Sequence, residues 1–83
     1  MALYIDTHEH IEGLTGDAVA HAHQADLETQ GKYGVKYLRY WFNENTGKVF
    51  CLVDAPNKEA AIAVHREAHG LVADEIIEVQ EGS

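Results

Sequence analysis

The order in which hydrophobic periodicity changes along this chain leaves it few folds to adopt. Leu3–His8 alternates, with Leu3, Ile5 and Thr7 on one side and Tyr4, Asp6 and His8 on the other, as in a half-buried strand. Thr15 then reads as a helix N-cap, with Asp17 in the first turn and Leu14 and Val19 placed as a hydrophobic staple. That helix runs to about Gln30, where Gly31 and Gly34 end it. Val19 and Leu27 mark its apolar stripe, His23 falls between them, and His21 points away. Val35–Phe42 is β-branched and aromatic, and Asn43–Gly47 has the composition of a hairpin turn. Lys48–Asp54 returns as a nearly uniform apolar run, the mark of a central strand covered on both faces. Asn57–Gly70 is a second helix, with Asn57 as N-cap and Gly70 as its left-handed terminator. Ile76–Val79 closes the chain as a short strand.

Strand–helix–strand–strand–helix–strand is two split βαβ units. The expected fold class is therefore α+β: a ferredoxin-like βαββαβ plait, its four-stranded antiparallel sheet carrying both helices on one face. Residues 1–83 are expected to form one such domain, with Gln80–Ser83 as a loose tail. Tyr37, Tyr40, Trp41 and Phe42 leave aromatic surface on the open sheet face whichever parity turns inward, so a homodimer is expected.

Charge narrows the partners. Six Lys and Arg against fourteen Asp and Glu give a net charge of −8, which repels nucleic acid and anionic lipid and attracts cations. No apolar run reaches the roughly 18 residues of a membrane span, and the first residues lack a secretory signal pattern. A single cysteine, Cys51, fits a reducing compartment, so a cytoplasmic protein is expected. The compositional excess is histidine, six in 83 residues.

His65 and His69 stand one turn apart on the second helix, a chelating spacing. His23 lies eight residues after Thr15, and His65 eight after Asn57, so the two rings sit at similar heights on roughly parallel helices. Asp26 follows His23 on a neighbouring azimuth. Three imidazoles and a carboxylate suit a first-row divalent metal such as nickel, zinc or copper. Read singly, His23 is more often a hydrogen-bonded core residue than a ligand. Asp6 and His8, with His10, form a second candidate group on one strand face, or else a solvated strand end. If Leu3 and Ile5 face the helices, Asp6 and His8 point to the opposite sheet face and reach the helix histidines only around an edge or through a dimer mate. Cys51 reads as a small core residue. Glu67 projects about 200° from the histidine side, so His65-Arg66-Glu67-Ala68-His69 is no zinc-protease site.

Gly34–Ala61 and His65–Gln80 resemble a family of small bacterial ferredoxin-like proteins, formerly known only as a domain of unknown function, with nickel-binding members. Phe50-Cys51-Leu52 leading into Ala55-Pro56, then Gly70, Ala73-Asp74-Glu75-Ile76 and Glu78-Val79, carry the likeness, together with Tyr4-Ile5-Asp6 and His23-Gln24-Ala25-Asp26. The resemblance implies a ferredoxin-like homodimer that binds Ni²⁺ or another first-row divalent metal, with a role in sequestration or tolerance. Spacing nominates His65, His69, His23, His8 and Asp6 as ligands. The competing expectation is a small enzyme of the dimeric α+β-barrel type, with His23, His65 and Asp6 as acid/base groups. A metal-responsive interaction module is the third.

Overall fold

Local capping sets both helices where the sequence places them. The Thr15 hydroxyl accepts the Ala18 N–H at 3.1 Å and opens α1 (Gly16–Thr29); the Asn57 side chain accepts the Ala60 N–H at 2.9 Å and opens α2 (Lys58–Ala68). The computed structural model describes residues 2–82. A 3₁₀ turn, Gln30–Tyr33, follows α1 and ends at Gly34, whose φ of +67° is left-handed. The strands are β1 (Ala2–His8), β2 (Lys36–Asn43), β3 (Lys48–Ala55) and β4 (Glu75–Val79). The tail expected from Gln80 begins where β4 ends; Ser83 lies outside the described residues. Among the described residues no helix is long and apolar enough to cross a membrane.

The sheet is antiparallel in the order β2-β3-β1-β4, the ferredoxin-like plait. Val53, Ala55, Ala61 and Val64 are fully enclosed between sheet and helices, with Val19, Val35, Tyr37 and Val49 around them. One choice that the sequence left open is made here, and one expectation changes. The inward parity of β1 is the polar one: Tyr4, Asp6 and His8 are buried under the helices, while Leu3 and Ile5 are only half-buried on the other sheet face. On α1, Leu27 is exposed, and the buried positions are Val19 and Asp26. Both outcomes have one cause: Asp6 and Asp26 find a partner inside and so lose the usual penalty for burying a carboxylate. β3 is central as expected, yet its second face is uncovered in the single chain, where Phe50 is exposed.

A bulge between Tyr37 and Arg39 breaks the β2–β3 register. Tyr37 pairs with Val53 and Tyr40 with Cys51, so both tyrosines face the helices although three residues separate them. Trp41 pairs with Phe50 on the open face.

Candidate metal centre

His65 occupies the middle of the interior, 2% exposed, where α2, α1 and β1 meet. Its Nδ1–H donates to Asp26 Oδ1 on α1 at 2.9 Å. Its Nε2 lies 3.0 Å from Asp6 Oδ2 on β1, but an N–H there would not point at the oxygen, so this nitrogen has no hydrogen-bond partner. Asp6 Oδ1 is likewise unpartnered, with His8 Nε2 at 3.5 Å. Tyr37 stacks on the His65 ring with centroids 4.6 Å apart. Its hydroxyl donates to the Ala61 carbonyl oxygen at 3.0 Å, with Asp6 Oδ2 as the other acceptor in reach at 3.3 Å.

The electrostatics follow from this sandwich. Burial alone would lower the His65 pKa, but the Asp26 and Asp6 carboxylates outweigh it and raise it to about 9. Burial would raise Asp6, and the close approach of the His65 and then the His8 rings outweighs it and brings it down to about 2. Asp26, opposed by burial in the same way, is lowered by His65 and His69. A lone pair on Nε2 would be repelled by a carboxylate oxygen 3.0 Å away, so the place suits a positive charge, whether an imidazolium or a metal ion.

Two groups of side chains have ligand atoms all within 4.8 Å of one another: Asp6, His8, Cys51 and His65, and Asp26, His65 and His69. The structure thus brings together four of the residues nominated from the sequence, Asp6, His8, His65 and His69, within one chain and without a dimer mate. His23 belongs to neither group. It packs on Tyr40 with centroids 4.6 Å apart, and burial lowers its pKa, which keeps the ring neutral at pH 7. His10 lies outside, its Nδ1–H on the Thr46 carbonyl oxygen and Nε2 near Glu12. Cys51, which the sequence reads as a small core residue, is buried as expected but also stands in the first group. Its parity with Val49 and Val53 was readable, but its place opposite Asp6 needs the β1–β3 register.

His69 caps the end of α2. Its Nδ1 accepts the Leu71 N–H at 3.1 Å, which leaves the ring proton on Nε2, 3.1 Å from Asp26 Oδ1 but not aimed at it. Together these contacts read His69–Asp26–His65, the last ring turning its Nε2 toward Asp6. A half-open cavity of about 60 Å³ adjoins the cluster, with His8, His23, Asp26, Cys51 and His69 in a wall that is otherwise mainly aliphatic.

The family model described as "Nickel responsive protein SCO4226-like" matches residues 4–79. The crystal structure of SCO4226 from Streptomyces coelicolor A3(2) matches with a TM-score of 0.92 and 36% sequence identity, covering 99% of this chain and 100% of that one. No curated protein matches the sequence.

Proposed function

The chain belongs to the SCO4226-like family of nickel-responsive proteins, and from there we propose that it binds nickel, or a similar first-row divalent ion, without turnover. The ion is held by Asp6, His8 and the Nε2 of His65. The carrying observation is a pair of fully buried atoms without hydrogen-bond partners in one cluster, Asp6 Oδ1, with His8 Nε2 at 3.5 Å, and His65 Nε2, with Asp6 Oδ2 at 3.0 Å. The ligand atoms of this cluster all lie within 4.8 Å of one another, which suits an ion with ligand bonds of about 2.0–2.3 Å. Asp26 accepts the other N–H of His65, the outer carboxylate that orients ligating imidazoles in metal sites. His69 supports Asp26 rather than the ion, because its Nδ1 is taken by Leu71. The enzymatic alternative is less well supported: about 60 Å³ is far below the roughly 300–1,000 Å³ of ordinary substrate pockets.

Calorimetric titration of Ni²⁺ tests the ligand set. Wild type is expected to bind, His65→Ala to lose the heat of binding, and His69→Ala to weaken it about 10–100-fold, as changes in an outer shell do. Circular dichroism of each variant checks folding, and Asp6→Asn offers a second route to the same loss. Unchanged affinity and stoichiometry in both His65→Ala and Asp6→Asn would place nickel elsewhere. Sequestration, keeping nickel out of circulation, is the cellular role that such binding serves. An unpaired Cys51 suits the reducing cytoplasm for it.

Dimerisation belongs to the same reading. The open sheet face carries Trp41 at 50%, Ile77 at 49% and Leu38 at 46% exposure, with Phe50 beside them. A second copy of the chain is the simplest cover for such a patch. Sedimentation equilibrium should give a dimer for wild type and a monomer for Trp41→Glu; a monomeric wild type at tens of micromolar rules the dimer out.

A further inference from the structure

We infer that Cys51 supplies a thiolate as fourth ligand to the ion at Asp6, His8 and His65, making a closed site of two nitrogens, one oxygen and one sulfur that selects late first-row divalent cations. This rests on reading the cluster as a metal site. Three observations carry it.

Position comes first. Cys51 pairs directly with Asp6 across the β1–β3 ladder, which puts neighbouring side chains on the same sheet face. It is buried there among the other three ligands, with its sulfur within 4.8 Å of their ligand atoms.

Charge is the second. An ion carrying two positive charges in so enclosed a place needs two anions near it. Asp6 is one. Asp26 is engaged on the far side of the His65 ring with Nδ1–H. Cys51 is the remaining side chain of this group able to become an anion, and it does so by giving up its thiol proton as the metal–sulfur bond forms.

Ligand chemistry is the third. Thiolate and imidazole favour nickel, cobalt, zinc and copper, whereas magnesium and manganese prefer all-oxygen shells. Four protein ligands also leave no open position, which fits storage rather than hydrolysis.

Cobalt(II), added anaerobically to the full chain, is the probe. Wild type should bind it with the strong visible absorption of four-coordinate cobalt and a near-ultraviolet thiolate-to-cobalt charge-transfer band. Excess magnesium or manganese should leave both unchanged. Cys51→Ser should keep cobalt with weaker affinity and lose the band. Because Cys51 is the chain's one cysteine, the wild-type spectrum alone decides even if the variant folds poorly. Cobalt bound without the charge-transfer band overturns the thiolate and leaves the metal site standing. Displacement by manganese overturns the selectivity, and failure to bind cobalt at all removes the metal reading as well.

Discussion

Replacing His65 with alanine should destabilise the metal-free protein by about 3–5 kcal/mol, the range for breaking a buried ion pair from one side. The reason is what it leaves behind. Asp6 and Asp26 are 1% and 3% exposed, and the ring between them is their shared counter-charge. Deleting it strands two carboxylates that must be protonated or hydrated, and opens a void where Tyr37 now stacks. A chain of this length has on the order of 4–12 kcal/mol of stability in total, so the variant should be largely unfolded at moderate urea. Urea denaturation with a chelator present measures it. A loss under about 1 kcal/mol would show that the two carboxylates do not depend on the imidazole for their charge balance.

Nickel affinity and metal-free stability should run in opposite directions with pH above neutrality. His65 has a raised folded-state pKa, about 9 against 6.5. Its contribution to stability is therefore full below pH 6.5 and is lost as pH rises through about 9, an effect on the order of 3 kcal/mol. Asp6 is the reverse case, lowered to about 2 from 3.8. Its contribution is full above pH 3.8 and is lost as pH falls through about 2. Metal-free protein should be most stable between about pH 4 and 6.5. Nickel must displace the His65 proton, so its affinity should keep rising above pH 6.5 instead of levelling there, by at least tenfold per pH unit and more steeply where the Cys51 thiol proton is released as well. Titrations at pH 6, 7 and 8 give the slope; a flat profile across that interval would mean that His65 is not a ligand.

Much of the plait was legible because local rules agreed with the global fold. The caps at Thr15 and Asn57, the terminator at Gly70 and the hairpin at Asn43–Gly47 are short-range chemistry, and each stands within a residue or two of its expected place. The His65/His69 spacing was visible for the same reason. The inward face of β1 was not. Alternation separates Leu3 and Ile5 from Tyr4, Asp6 and His8 but cannot tell which set a polar interior will take. That choice is settled by His65, nearly sixty residues on. Leu27 misled in the same way: its hydrophobicity argued for burial, while Asp26 took the inward azimuth because His65 was there to meet it.

The extra residue in β2 works as a phase shift in the strand. Ahead of it, odd-numbered Tyr37 looks toward the helices; beyond it, even-numbered Tyr40 and Phe42 do. Were Leu38 paired in strict alternation instead, the strand would face a choice: hold Tyr37 against His65 and turn Trp41 inward, or keep Tyr40 on His23 and lose the tyrosine that braces the imidazole. One skipped beat in the ladder thus lets a single edge strand furnish both the wall of the interior and the indole on the outer side of the sheet.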